Sequence, residues 1–249
     1  MTRYRVWLEG HGLQDIDPAV IITDVQEQNP DLTIETAQTA GNGLRLLRKS
    51  RRSLSVLVRI VIREYDVARR KRVCQRIAAW ARDGGKLALN DRPGQYLKVD
   101  CDQLPHISSA LQWLEEIPIV FTAREDPYWQ EDTRAFASAS GTSGSATICP
   151  IGDKRSVPLE ASVVNVGAGT LTAVSITAGG QTMRFTGLAV APGAAMTISV
   201  KDGLLDLPVA NRTEDSADEL LIPCGEYSTV TFTADQTVSA KFYARGAWI

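Results

Sequence analysis

Histidine and cysteine are scarce in this chain. There are two histidines, His11 and His106, and four cysteines, Cys74, Cys101, Cys149 and Cys224. The cysteines form no CxxC pair, so their spacing argues against a zinc site and a disulfide framework. Four buried, reduced thiols are the expectation. With two imidazoles in all, a histidine-built metal site is not expected either. Long apolar runs are also missing. None approaches the ~20 residues a membrane helix needs. The opening MTRYRVWLEGHG has no apolar segment of the kind a secretory leader carries, so synthesis and first residence in the cytoplasm are expected.

The usual catalytic signatures are absent too. Gly167 and Gly169 form a Gly-x-Gly, but no helical pattern follows and no third glycine completes a dinucleotide fingerprint. A turn at a strand end fits better. Ser140-Gly141-Thr142-Ser143-Gly144 has the letters of a nucleophile elbow without the strand and helix that make one. Glu115 and Glu116 are adjacent, and Asp215, Asp218 and Glu219 cluster, with neither the spacing of a calcium loop nor the setting of paired catalytic carboxylates. No catalytic, cofactor-binding or metal-binding residue is assigned, and no enzymatic activity is expected.

What is present is ordinary in total and uneven in placement. Apolar residues make up 44% and charged residues 22% of 249, enough for one or two cores. Net charge is −2. From Arg45 to Arg76, however, twelve Arg and Lys face only Glu64 and Asp66, a local net of +10 that leaves −12 elsewhere. Such a block fits a solvated face, a face meeting an acidic neighbour, or a nucleic-acid footprint. The last lacks an aromatic stacking platform.

The stretch 54–99 organises the rest. Val56, Val58, Ile60 and Ile62 alternate with Ser55, Leu57, Arg59 and Val61, a strand with one buried face. Asp66 is placed to cap a helix over Asp66–Arg82. Val73, Ile77, Trp80 and Ala81 form its apolar stripe, with Val73, Ile77 and Trp80 as core. Gly84-Gly85 ends it. Leu87 and Leu89 open a hairpin that turns at Asp91-Arg92-Pro93-Gly94 and returns through Tyr96, Leu97 and Val99.

Before this unit, YRVWL (4–8), Val20–Ile22 and Leu32–Ala37 read as strands, with a turn at Asn42-Gly43. After it, 108–116 reads as helix or strand, and IPIVFTA (117–123) as a strand followed by the packing aromatics Tyr128 and Trp129. Composition shifts at Phe136. ASASGTSGSA (137–146) reads as a flexible linker or a loop between domains. Beyond it at least seven short alternating segments predict an all-β sandwich or jelly roll. The expected fold is mainly β. An α+β domain with one main helix spans 1–135, with the last strand near 240–249 as a candidate to complete it, and a galectin-like or jelly-roll type β-sandwich spans 136–249. Trp248 and Ile249 are expected to be packed, with the chain returning to the first domain.

The order and spacing of several segments resemble the distal tail proteins of long, flexible-tailed bacteriophages and related prophages. The segments are VRIVIRE, the helix ending IAAWA, GGKLALNDRPGQYLKV, VFTAREDPYW, VVNVGAGTLTAVSITAGG, STVTFTAD and the closing ARGAWI. The resemblance implies a ring-forming belt domain followed by a galectin-like sandwich. It implies a structural, non-enzymatic protein without cofactor that forms a ring, usually a hexamer, at the distal end of the tail tube. Its implied partners are the tail tube protein, the tape-measure end and a tail-tip or tail-associated protein, with DNA only as cargo passing through the ring and no membrane. Its implied place is the virion tail tip, after assembly in the bacterial host cytoplasm. The sandwich shows no His, Asn, Arg and Trp sugar-binding set.

Two classes of function follow. The first is a ring subunit, with heterologous contacts whose basic side would be Arg69, Arg70, Arg72 and Arg76, off the apolar stripe, with Arg48, Lys49, Arg51 and Arg52. The competing placement of these arginines is a channel wall facing DNA. The second class is a carbohydrate- or receptor-binding β-sandwich module.

Overall fold

The computed structural model describes residues 4–28, 31–38, 44–105, 115–201, 204–208, 211–212 and 216–248, without the side chains of 44–50, 201, 204–205 and 211–212. The turn read at Asn42-Gly43, most of the segment 108–116, Asp215 and Ile249 therefore lie outside the described residues. Among the described residues the fold is mainly β with one α-helix. The chain forms two compact units, Met1–Trp129 and Gln130–Ile249.

In the first unit the strands are β1 (Val6–Leu8), β2 (His11–Gly12), β3 (Val20–Glu27), β4 (Asp31–Gln38), β5 (Leu44–Ile62), β6 (Gly85–Leu89), β7 (Gln95–Gln103) and β8 (Ile117–Ala123). Every pairing is antiparallel, in the order β2-β1-β6-β7-β8-β5-β3. The inner half of β5 sits between β3 and β8, with Val20 opposite Ile62 and Leu54 opposite Ala123. Its alternation buries Val56, Val58, Ile60 and Ile62. The outer half has a different fate. From Leu44 to Ser53 it pairs with β4, from Gln38 back to Asp31. All of β4 is exposed except the half-buried Ala37. This is a two-stranded arm with solvent on both faces of β4.

Helix α1 (Val67–Ala81) starts where Asp66 accepts a 2.8 Å hydrogen bond from the Ala68 N–H through its side chain. Its buried face is Arg70, Val73, Cys74, Ile77 and Ala81. Trp80 is half-buried. Its ring meets Phe121 of β8 edge-on at 6.0 Å, and its Nε1–H donates to the His11 carbonyl at 3.0 Å. Gly84 then turns at φ +63°, where an added Cβ would lie 2.2 Å from the Val99 carbonyl oxygen. Pro93 and Gly94 (φ +77°) close the β6–β7 hairpin, with the Gln95 N–H donating to Arg92 O. Proline at the first central position and a positive-φ glycine at the second make this a type II turn.

The second unit contains β9 (Trp129–Ile148), β10 (Val157–Asn165), β11 (Leu171–Ala178), β12 (Gln181–Val190), β13 (Ala195–Lys201), β14 (Leu204–Asp206), β15 (Asn211–Arg212), β16 (Leu221–Ile222) and β17 (Ser228–Trp248). Its organiser is β17. Thr231–Ala234 pair with β11, and Val238–Ala244 pair with β10. Phe232 and Phe242 are ten residues apart, ~33 Å in a straight strand, yet their ring centroids lie 6.3 Å apart. The strand therefore bends between them and contributes to both layers of a sandwich. One layer runs β15-β12-β11-β17 and the other β14-β13-β10-β17.

One expectation is corrected here. The Ser/Gly-rich 137–146 is no linker but the middle of β9, which pairs with β17. One of its small residues has a steric cause, since a Cβ on Gly144 would come 2.8 Å from the Phe232 ring. The units accordingly part at Trp129, before the composition shift at Phe136. Trp248 is half-buried and donates its Nε1–H to Glu131 Oε1 at 2.6 Å. That partner belongs to the second unit, because β17 completes the sandwich with β9, β10 and β11.

Candidate functional site

The four helix arginines identified from the sequence have four different environments. Arg69 pairs with Glu64 at 3.0 Å. Arg76 pairs with Asp17 at 3.2 Å and donates to the Ile16 carbonyl, tying α1 to the segment before β3. Arg72 is exposed and makes no ion pair among the described residues. Arg70 corrects the expectation of a surface cation. It is 5% exposed, on the same face as Cys74, and its Nε and Nη1 have no hydrogen-bond partner among the described residues. The helix is amphipathic by 3.6-residue spacing, and position 70 is one turn before Cys74, so it falls on the buried face. The uncommitted positive charge of α1 is thus Arg72 with the exposed Lys71.

The second basic group lies on the arm. Arg51 donates to the Pro127 carbonyl at 3.4 Å and stacks over the Tyr128 ring at 5.1 Å, while Arg52 is exposed. Arg48 and Lys49 stand opposite Glu35 and Ile34 in the ladder. On β4, Leu32 and Ile34 are 40% and 58% exposed. A two-stranded ribbon is marginal alone in water, and apolar side chains on such a ribbon are better covered than solvated. Sequence reading found the strands but missed the arm, because exposure on both faces is a property of what fails to pair with β4.

Elsewhere the polar groups are structural. The fully buried Trp129 donates Nε1–H to Glu27 Oε2 at 3.1 Å, and Arg92 bridges Glu27 at 2.7 Å while its guanidinium covers the indole at 4.9 Å. Arg124 grips Asp102 through one nitrogen at 2.7 and 2.6 Å and reaches Asp100 at 3.5 Å. The hydrogen bonds from Arg124 hold the Asp102 carboxyl below its usual range. Asn165 ends β10 by bonding Gly167 N–H and the Gly169 carbonyl, so the Gly-x-Gly is a strand-end turn. All four cysteines are free thiols, and Cys74 alone is buried. The other three are half-buried, against the expectation of four buried thiols. Burial raises the Cys74 thiol above its ordinary value. No helix among the described residues is long and apolar enough to cross a membrane.

These features define a mainly β chain in two units whose most unusual elements are surfaces. No family model matches it, and no curated protein matches its sequence. Among solved structures it is similar to the Dit (gp 19.1) protein of phage SPP1, called a paradigm of the hub adsorption apparatus in phages infecting Gram-positive bacteria. The likeness covers 97% of this chain and 98% of that one at 10% identity, with a TM-score of 0.69. Chains of the phage p2 baseplate in its activated conformation, with strontium and with calcium, align over 98% of this chain and 97% of theirs at 8% identity. Their TM-scores of 0.46 and 0.45 are too low to bear on the fold. The SPP1 likeness establishes the fold, which both chains share from end to end.

Proposed function

We propose that this chain is a structural subunit of a phage tail hub. In this reading copies close into a ring, a hexamer, at the distal end of the tail tube. The ring joins the tube and tape-measure end to the tail-tip or host-recognition apparatus. Its place is the virion tail tip, reached after assembly in the host cytoplasm, and it performs no catalysis. The observation that carries the proposal is the end-to-end likeness to the SPP1 hub protein, which leaves neither unit unmatched. The arm, on which Leu32, Ile34 and Arg52 are exposed, supports it as an assembly element. In a closed ring each subunit offers one surface to a different surface of its neighbour.

The test is the mass of the purified full chain in solution, by mass photometry or light scattering. The expected species is six times the 27.1 kDa chain. A single-chain mass at every concentration would overturn the ring.

A further inference from the structure

Two half-buried thiols meet at one corner of the second unit. Cys149 follows Ile148, the last residue of β9, and Cys224 lies between β16 and β17. The residues next to them are joined directly, since the Gly225 N–H donates to the Pro150 carbonyl at 2.8 Å. That bond sets the two backbones about one strand spacing apart, ~5 Å. A disulfide tolerates Cα separations up to ~7 Å. Gly225 turns here at φ +75°. The Asp153 and Lys154 N–H groups donate to the Ala247 carbonyl at 3.1 and 3.0 Å, and the Ala247 backbone also hydrogen-bonds the Cys224 sulfur. Segment 149–154 and Cys224 thus close on the same residue of β17.

The two thiols are near enough that ionising Cys149 opposes ionising Cys224. Burial pushes the Cys224 thiol above its ordinary value, and the Ala247 hydrogen bond and the Lys154 ammonium offset part of that. The other two cysteines belong to the first unit, where Cys74 donates to the Pro105 carbonyl and Cys101 to the Gln103 carbonyl. Nothing in the sequence spacing announces the pair, which only the fold brings together. Thiols so placed pack, hold a metal or exchange with a disulfide. A structural zinc site takes four ligands, and no group of three Cys, His, Asp or Glu able to hold a metal occurs among the described residues. Free cysteines that only pack are mostly fully buried, and neither of these is.

We propose that Cys149 and Cys224 are a redox pair that closes into an intramolecular disulfide by exchange with a low-molecular-weight disulfide. One cysteine thiolate attacks a sulfur of the small disulfide, whose S–S bond breaks to release one thiol. The second cysteine thiolate attacks the protein sulfur of this mixed disulfide and releases the other. Two protein thiols are oxidised and one small disulfide is reduced, and the protons of the two cysteines end on the two released thiols. The new bond encloses β10 to β16 and fastens the end of β9 to the start of β17. Linking positions so distant in the chain restricts the unfolded ensemble, so the oxidised unit resists unfolding more than the reduced one. Cytoplasmic thiol pools keep such pairs open, and oxidising surroundings close them. In the hub reading the pair is open during assembly and closes once the particle is outside the cell. That timing rests on the hub reading; the pair itself does not.

The experiment exposes the full chain, purified under reduction, to glutathione disulfide without denaturant. The product is then denatured in an alkylating agent and analysed by mass spectrometry with a non-reducing peptide map. The expected result is a Cys149–Cys224 cross-link within one chain, the loss of two alkylatable thiols, and a higher denaturant midpoint that dithiothreitol reverses. Cys149→Ser and Cys224→Ser should each abolish the cross-link and the midpoint shift, leaving the remaining cysteine of the pair with one bound glutathione. If a variant does not fold, the peptide map of the unmodified chain decides. Glutathione on both cysteines without a cross-link overturns the proposal, as do cross-links only between chains and two unreacted thiols. The native mass of the same samples reports the ring separately. A cross-linked species of single-chain mass fails only the hub reading, and an assembled ring with both thiols open fails only the pair.

Discussion

At the scale of single residues, the two tests with the sharpest physical content are Trp129 and Arg70. Trp129 is fully buried with its indole nitrogen on Glu27 and its face under Arg92. Trp129→Ala should therefore destabilise by ~3–5 kcal/mol, read as a shift in the denaturant midpoint of the chain; a loss below ~1 kcal/mol would contradict its place in the core. Arg70 is the opposite case, a buried cation with two nitrogens lacking partners. Arg70→Met keeps the stem's packing and removes the desolvated charge, so stability should stay level or rise by up to ~4 kcal/mol. A marked fall in melting temperature would show that the guanidinium is satisfied after all. A third test concerns pH. The Asp102 carboxyl is lowered by Arg124, so the unfolded state binds the proton more tightly. The stabilisation is present above the unfolded value of ~3.9 and is lost as pH falls through the lower folded value. The pair is surface-exposed, so the effect is small. A double-mutant cycle of Asp102→Asn and Arg124→Gln should give a coupling at neutral pH that vanishes in strong acid. Equal coupling at both would rule the ion pair out.

At the scale of elements, the β4–β5 arm separates stability from assembly. Ile34 is 58% exposed on a strand with no fully buried residue. Ile34→Asp should leave the unfolding free energy of the isolated subunit within ~0.5 kcal/mol of the original and abolish or weaken the ring. An intact ring from this variant would remove the arm from the interface. The same scale shows what the sequence exposes and what it hides. The period-two run 56–62, the Asp66 cap, the stripe through Val73 and Ile77, and the Pro93-Gly94 turn are local, and each appears where its residues require it. β9 is hidden because Ser, Gly, Ala and Thr resemble linker composition, while Gly144 faces a ring, Phe232, that lies almost ninety residues further along. Arg70 is hidden because charge argues for the surface while helical spacing places it inside.

At the scale of the whole molecule, the +10 block on a chain of net −2 now reduces on α1 to Lys71 and Arg72. In the ring reading, basic and acidic surfaces on neighbouring subunits guide encounter and register more than affinity. Replacing Lys71 and Arg72 together by Glu should slow or weaken ring formation, and added salt should weaken the unmodified ring in the same direction. A ring indifferent to both changes would favour the channel placement of these charges.

The bend in β17 sets the timetable of synthesis. β10 ends at Asn165, and its partner in the ladder begins at Val238. A ribosome that has finished β9, β10 and β11 has thus made three strands whose common neighbour does not yet exist. Until β17 emerges, their open edges and the inward residues Val163, Val174 and Ile176 have no lasting cover. The second unit should therefore close late and slowly, as expected for pairings so distant along the chain. During that interval it is a natural client for holding chaperones, whereas the first unit, already complete at Trp129, is free to fold as it leaves the exit tunnel.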